Sequence, residues 1–196
     1  SGFKSLQAIS KGPCLPYSKN RNGISLGEAA ASVAISTELN ANNIGEVLGE
    51  GESNDANHIS GPSRNGEGLY NSINKALKMA CLNANDIEYI CAHGTGTIYN
   101  DEMEAQAFNR LNMQNTPINS LKGYFGHTLG ASGLLETIIA VKSMNNNILF
   151  KSNGFDKIGV TLPLNVVKNS QKKDLQTILK TASGFGGTNV AVIIKN

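Results

Sequence analysis

Apolar residues recur at helical spacing in three segments after residue 60. In "GEGLYNSINKALKMACL" they share one helical face, which we expect to be buried: Leu69, Ile73, Leu77 and Ala80. The segment "NDEMEAQAFNRL" opens with an asparagine and two acids, as a helix N-terminus favours, and its predicted buried positions are Met103, Ala107, Phe108 and Leu111. The segment "LLETIIAVKSM" is strongly apolar. The pattern therefore predicts three helices.

Short apolar runs between and after these segments predict strands. "IEYICA" and "TPINSL" are brief, whereas "QTILKTA" and "TNVAVIIK" are longer and apolar on both faces. The two longer runs flank "SGFGG", which predicts a hairpin of buried strands. Strands that alternate with helices and end in a hairpin predict an α/β fold, in which helices cover a mixed sheet.

The amino-terminal part of the chain carries weaker signals. Its pattern predicts a helix over about residues 3 to 10, followed by the polar, turn-rich loop "KGPCLPYSKNRNG". The small residues of "SLGEAAASVAIS" then predict a buried strand.

The composition is that of an ordinary globular protein. The chain has 196 residues, which one domain can fill, with 40% hydrophobic and 16% charged residues. The net charge is only +2, and the sequence has no run of basic residues with interleaved aromatic residues. It therefore gives no support for nucleic-acid binding. No apolar stretch is as long as a membrane helix requires, which is about 18 residues. No signal segment is recognisable either. We therefore expect no membrane association. Because the first residue is not methionine, we expect a piece of a longer chain.

The cysteines and histidines lack the spacing of metal sites. Cys14, Cys81 and Cys91 form no CxxC motif, and we interpret them as reduced thiols of a cytoplasmic protein. The three histidines form neither HxH nor HxxxH. The sequence therefore predicts no metal site.

Three glycine-rich turns follow predicted strands: "HGTGT", "KGYFGHTLGASG" and "SGFGGTN". Ligands bind at the carboxyl ends of strands in open α/β sheets, so the three turns could meet at one pocket. A nucleotide is disfavoured as the ligand. "SGFGGTN" leads into a strand and lacks GxGxxG spacing, and "HGTGT" lacks the Gly-Lys-Ser/Thr ending of a phosphate loop.

Two of these turns contain a histidine. A lone histidine in a polar loop is more often structural, and we interpret His58 in that way. His93 and His127 both lie at strand-to-helix turns beside glycines, where neutral imidazoles could donate hydrogen bonds to a carbonyl or enolate oxygen. Lys122 precedes His127 by five residues and could lie at the surface or point inward. Glu136 interrupts an apolar helix, and Lys122 is its candidate partner.

The segments "AHGTGTIYNDEMEAQA", "NSLKGYFGHTLGASGLLE" and "SGFGGTN", in this order, carry a family resemblance. They resemble the carboxyl-terminal half of a β-ketoacyl-acyl-carrier-protein synthase, most closely the elongating condensing enzymes that use two histidines. The likeness extends upstream through "RNGISLGEAA" and "GFKSLQAIS". It implies a thiolase-like fold, with residues 1–55 as remaining elements of the amino-terminal half and residues 56–196 as the carboxyl-terminal domain.

The resemblance implies roles for the polar residues of two turns. His93 and His127 would hold the carbonyl of a malonyl thioester and stabilise the enolate that decarboxylation produces. Lys122 matches a lysine coupled to the second histidine, and Glu136 matches the carboxylate partner of that lysine.

The same resemblance implies substrate contacts. Thr95 and Thr97 match positions that contact the phosphopantetheine arm of acyl carrier protein. Phe185 matches a phenylalanine that gates the acyl pocket, in a mobile loop whose flanking glycines are Gly184, Gly186 and Gly187. Acyl carrier protein is thus the expected partner, no separate cofactor is expected, and the full-length protein is expected to be a homodimer or a heterodimer.

The family nucleophile has no counterpart in this sequence. It is a cysteine in a Thr-Ala-Cys-Ser turn of the amino-terminal half, at the start of a helix, and no such turn is present. We therefore expect half an active site, which is inactive by itself. Two alternatives stay open: a non-catalytic partner subunit of the chain-length-factor kind, and a natural short protein that acts as a binding module or is a remnant.

Overall fold

A computed structural model describes residues 8–38 and 43–196. Most of the helix predicted over residues 3 to 10 lies outside the described residues. At the described end of that segment, Ile9 pairs with Ile24 in an isolated bridge.

A five-stranded mixed sheet forms the centre of the fold. The strand order is β1-β7-β6-β2-β3, in which β2 runs parallel to β3 and β6, and β7 runs antiparallel to β1 and β6. The predicted hairpin of buried strands is therefore confirmed as β6 and β7. A separate two-stranded ribbon pairs β4 with β5. The strands are β1 (Glu46–Asn54), β2 (Tyr89–Cys91), β3 (Ile118–Asn119), β4 (Ile148–Leu149), β5 (Gln171–Lys172), β6 (Thr177–Ser183) and β7 (Thr188–Lys195).

Helices cover both faces of the sheet. The α-helices are α1 (Glu67–Ala80), α2 (Ile98–Arg110), the single turn α3 (Lys122–Phe125) and α4 (Ser132–Asn145), and two 3-10 helices span Ala84–Asp86 and Leu129–Ala131. The three predicted helices are confirmed, although α2 begins two residues earlier than expected. The side chain of Thr97 caps α2 by accepting a hydrogen bond from the backbone N–H of Asn100 at 3.4 Å.

Alternate residues of the central strands reach two different apolar clusters. Ile90 packs with residues of α1 and α2, whereas its neighbours Tyr89 and Cys91 pack with residues of α4. The predicted buried face of α1 is confirmed for Leu69, Ile73 and Leu77, whereas Ala80 is only partly buried. The sheet is thus buried on both sides, as its apolar strands require.

The segment "SLGEAAASVAIS" does not form the predicted strand. Apart from an isolated bridge between Leu26 and His127, residues 25–36 have no regular secondary structure, and most of them are exposed. Its alanines and serines bury little apolar area, and no other described strand lies beside it to pair with its backbone.

The edge strand β1 lies before the domain boundary that we place at residue 55. It nevertheless forms a long antiparallel ladder with β7 in the same sheet. The division of the chain into two domains stays a prediction.

Two glycines of β1 allow α1 to approach the sheet closely. A Cβ atom at Gly51 would overlap the carbonyl oxygen of Ser72, and one at Gly49 would overlap that of Ala76. The alternate spacing of the two glycines therefore keeps one face of β1 free of side chains where the helix backbone passes.

Replacing Gly51 by alanine should reduce the free energy of unfolding by about 1–3 kcal/mol, because the added methyl group must displace α1. Urea denaturation of the variant and the parent chain measures this loss. Glu50→Ala is the matched control, since Glu50 is exposed on the other face of β1. An equal loss for both variants would contradict the packing explanation.

Candidate active site

The three glycine-rich turns meet at one cavity of about 860 Å³. They follow β2, β3 and β6, whose carboxyl ends lie at the same edge of the sheet because these strands are parallel. His93, His127 and Phe185 line the cavity, one from each turn. The predicted convergence is therefore confirmed. The loop that contains His58 also lines the cavity, which sequence reasoning did not anticipate.

His127 is half-buried and is held from both its backbone and its ring. Its backbone N–H donates to the carbonyl oxygen of Ser25 at 2.7 Å. Its Nδ1 atom accepts a hydrogen bond from the backbone N–H of Leu129 at 3.1 Å and lies 3.0 Å from the hydroxyl oxygen of Ser132. Burial, assisted by the positive charge of Lys122, lowers the pKa of His127 to about 4.

His93 is buried against the ammonium group of Lys122. Its Nδ1 atom lies 3.2 Å from Lys122 Nζ, which also donates to the His93 carbonyl oxygen at 2.6 Å. Burial and then the neighbouring Lys122 charge hold the pKa of His93 well below its ordinary value. Lys122 was expected to be coupled to the second histidine; the direct contact is with His93, and only the charge of Lys122 acts on His127.

The hydrogen bonds assign the same tautomer to both imidazoles. A backbone N–H can only donate, so Nδ1 of His127 is an acceptor and the ring proton is on Nε2. The three protons of the Lys122 ammonium meet three acceptors, one of which is Nδ1 of His93, so His93 also carries its proton on Nε2. The ring centroids are 5.2 Å apart, with an interplanar angle of 82°. The site therefore holds two adjacent neutral N–H donors.

Behind the histidines, a buried carboxylate is paired with two ammonium groups. Glu136 Oε1 accepts from Lys122 Nζ at 2.6 Å, which confirms the predicted pairing. Glu136 Oε2 accepts from Lys180 Nζ at 2.7 Å, a contact that was not predicted. Burial raises the pKa of Glu136, but Lys180 and Lys122 outweigh it, and the pKa is lowered. The signal that could have revealed Lys180 is a single charge within the apolar run "QTILKTA".

Two acids on α2 hold the turn that carries His93. Glu104 accepts from the backbone N–H groups of His93 and Gly94 at 2.9 and 2.8 Å, and Asp101 accepts from those of Thr95 and Gly96 at 3.1 and 3.2 Å. Burial raises the pKa of Glu104 to about 7 and that of Asp101 to about 6, against these hydrogen bonds, which favour the ionised forms. The sequence analysis treated Asp101 only as a helix N-terminal acid and gave Glu104 no role.

All the predicted substrate-contact residues except Gly186 lie at the cavity wall. Thr95 and Thr97 line it, and their hydroxyl oxygens are 2.8 Å apart. Phe185 also lines it, with 55% of its surface exposed. Its turn contains Gly184, whose N–H donates to Thr188 at 2.8 Å, and two glycines with left-handed φ angles, Gly186 (87°) and Gly187 (81°). Such angles favour glycine.

A family model described as "Beta-ketoacyl synthase, C-terminal domain" matches residues 44–156, which is more than half of the chain. The chain belongs to the β-ketoacyl synthase family. The matched range contains both histidines with Lys122 and Glu136, but it ends before Lys180 and Phe185.

Curated β-ketoacyl synthases align along nearly the whole chain. The 3-oxoacyl-[acyl-carrier-protein] synthase 2 of Rhizobium meliloti (strain 1021) is 36% identical over 189 residues, which are 92% of this chain and 45% of that protein. The protein of the same name from Mycobacterium leprae (strain TN) is 31% identical over 188 residues, with the same coverage. The chain spans about half the length of the curated relatives it matches.

Solved β-ketoacyl synthase structures superpose on the fold. A ketosynthase in complex with its chain length factor, from Xenorhabdus doucetiae, has a TM-score of 0.86 at 32% identity and covers 99% of this chain and 49% of its own. A β-ketoacyl synthase from Burkholderia phymatum STM815 has a TM-score of 0.86 at 27% identity, covering 100% and 50%. These neighbours confirm the predicted thiolase-like α/β fold. The C-terminal domain model confirms the assignment to the carboxyl-terminal half.

Cys14, Cys81 and Cys91 are all free thiols in the described part of the chain. The described cavity wall contains no cysteine. Cys14 is buried, and burial, then the Asp101 charge, raises the pKa of its thiol to about 12. Cys91 is buried inside β2, and Cys81 is exposed at the end of α1.

The described residues contain neither a metal-binding cluster nor a membrane-spanning helix. Within residues 8–38 and 43–196, no three His, Cys, Asp or Glu side chains are grouped so that they could hold a metal ion. The helices of this described part are all too short or too polar to cross a membrane.

Proposed function

We propose that this chain supplies the malonyl-decarboxylating part of a β-ketoacyl synthase active site. The observation that carries the proposal is the pair of neutral imidazoles on one cavity wall, each with Nδ1 occupied and its proton on Nε2. Two fixed donors suit a single oxygen on which negative charge develops, and such preorganised donors lower a reaction barrier most.

The proposed reaction begins with the malonyl thioester carbonyl between His93 and His127. The bond between C2 and the carboxylate carbon breaks, carbon dioxide leaves, and the electron pair forms an enolate whose oxygen accepts both Nε2–H bonds. The C2 carbon of the enolate then attacks the carbonyl of an acyl thioester, and the cysteine thiolate that carried the acyl group leaves. The protein contributes no redox step and needs no metal in this scheme.

The substrates would arrive on acyl carrier protein. We assign the phosphopantetheine arm to the wall formed by Thr95 and Thr97, and the gate of the acyl pocket to Phe185 with Gly184, Gly186 and Gly187. The proposal includes a homodimer or heterodimer of the full-length protein, and the related ketosynthase from Xenorhabdus doucetiae is in a complex with its chain length factor.

The nucleophile in this proposal belongs to the amino-terminal half. Support comes from the buried, high-pKa thiol of Cys14 and from the length of the relatives, about twice that of the chain. The chain alone should therefore be inactive in condensation. Subunits of the chain-length-factor kind usually lack catalytic residues. The retention of His93 and His127 therefore favours a catalytic subunit.

The test compares the complete protein with the 196-residue chain. Each is incubated with malonyl- and acyl-carrier protein, and both the condensation product and carbon dioxide are measured. We expect turnover by the complete protein and no condensation by the chain alone. Absence of carbon dioxide release from the folded complete protein would contradict the proposal, and condensation by the chain alone would contradict the half-site.

A further inference from the structure

Lys180 is a buried cation that takes no part in the proposed reaction. It lies in β6, only 3% of it is exposed, and it is not part of the described cavity wall. Its Nζ atom donates to Glu136 Oε2 at 2.7 Å and to the carbonyl oxygen of Thr181 at 2.6 Å. A buried ammonium without such partners would be strongly unfavourable, so these contacts fix its position.

A continuous series of hydrogen bonds links Lys180 to the cavity. Glu136 on α4 binds Lys180 through one oxygen and Lys122 through the other. Lys122 then contacts Nδ1 of His93, whose ring lines the cavity. Each step joins two different elements of the fold, so the position of each group depends on the previous one.

The weakest step in this series is the one nearest to the cavity. Lys122 Nζ lies 2.6 Å from Glu136 Oε1 and 2.6 Å from the His93 carbonyl oxygen, but 3.2 Å from His93 Nδ1. Without Lys180, Glu136 Oε2 would lose its partner and compete for the Lys122 ammonium. The long contact to Nδ1 would be lost first, and with it the donor that keeps the His93 proton on Nε2.

Lys180 stays charged in this environment. Burial lowers its pKa, but the Glu136 carboxylate and other nearby groups outweigh burial, and the pKa is raised. For Lys122, burial and the Lys180 charge lower the pKa, although the Glu136 carboxylate opposes both. The two ammonium groups therefore depend on an ionised Glu136 between them. Lys180 therefore acts as a fixed cation on the far side of the carboxylate.

We propose that Lys180 is a positioning residue of the decarboxylation site, which holds Glu136 so that Lys122 is directed at Nδ1 of His93. This inference rests on the proposed function. A positioning role differs from a purely structural role in one respect. Removal of the Lys180 charge must change the tautomer of the His93 ring and the rate of the chemical step, and not only the stability of the fold.

The kinetic test is a double-mutant cycle in the complete protein, with carbon dioxide release from malonyl-acyl-carrier protein as the readout. Lys180→Met should lower kcat by about tenfold or more with KM nearly unchanged, because a mispositioned donor affects the transition state rather than binding. Lys180→Met combined with Glu136→Gln should be no slower than Glu136→Gln alone. The control is Lys142→Met, an exposed lysine of α4.

A spectroscopic test uses the same substitution in the 196-residue chain. The ¹⁵N signals of the His93 ring should show an unprotonated Nδ1 in the parent chain and a mixture of tautomers in Lys180→Met. If Lys180→Met does not fold, Lys180→Gln replaces it in both tests; its amide gives Oε2 one neutral hydrogen bond, so we expect a smaller loss in the same direction.

The outcomes separate this inference from the proposed function. A folded Lys180 variant with the kcat of the Lys142→Met control, or with unchanged His93 signals, would overturn the positioning role. If the two fold-losses in kcat multiplied in the double variant, Lys180 would act independently of Glu136, and the proposed coupling through Glu136 would be overturned. If the complete parent protein released no carbon dioxide, the proposed function would fail, while the ring signals would still decide whether Lys180 controls His93.

Discussion

Replacing either His93 or His127 by alanine should lower kcat for carbon dioxide release by about 10²- to 10³-fold in the complete protein. Each substitution removes one of the two fixed donors, and a single oxyanion donor of this kind is worth that much in the rate. The hydrogen bonds to Nδ1 hold both rings, so no reorganisation is needed when charge develops on the substrate oxygen. The measurement is steady-state release of carbon dioxide from malonyl-acyl-carrier protein.

Glutamine variants provide the matched comparison. A glutamine side chain retains an N–H donor but cannot exchange a proton at neutral pH. His93→Gln and His127→Gln should therefore retain more activity than the corresponding alanine variants. Equal losses for glutamine and alanine would instead indicate proton transfer by the imidazole, and an alanine variant with parental activity would exclude that histidine from the reaction.

Replacing Glu136 by glutamine should lower the free energy of unfolding by about 3–5 kcal/mol, the range expected when one partner of a buried ion pair is removed. The neutral amide leaves Lys122 and Lys180 as two buried ammonium groups without a counter-ion between them. Each ammonium also loses its shortest charged hydrogen bond, at 2.6 and 2.7 Å respectively.

Urea denaturation of the 196-residue chain measures this loss. Glu50→Gln is the control, since Glu50 is an exposed glutamate of β1 and surface substitutions usually change stability by about 0.5 kcal/mol or less. A Glu136→Gln variant as stable as this control would show that the carboxylate is not ionised between the two lysines.

The sequence predicted those parts of the site that follow from local pattern. The pairing of Lys122 with Glu136 was predictable because a carboxylate within an apolar helix needs a cationic partner. The preceding turn contains a lysine, Lys122. The convergence of the three turns followed from the order of strands and helices. Both arguments use only neighbouring segments and the general behaviour of parallel strands.

The unpredicted parts depend on contacts between distant segments. Lys180 meets Glu136 only because β6 is placed under α4, and no local pattern gives that placement. Glu104 has the appearance of an ordinary helix residue until the turn of His93 is folded over it. The strand predicted in "SLGEAAASVAIS" was wrong because small residues permit several conformations, and a strand also needs a partner.

The central claim is that His93 and His127 are two neutral donors. Its most direct test is a measurement of the protonation state of their imidazole rings. The proposed measurement is a series of ¹⁵N spectra of the histidine rings in the 196-residue chain, recorded from about pH 5.5 to about pH 8. Because the pKa of His127 is lowered to about 4 and that of His93 lies well below its ordinary value, both rings should remain neutral over this range, with the proton on Nε2. An imidazolium signal for either ring near pH 6, or a proton on Nδ1, would contradict a site of two neutral Nε2–H donors.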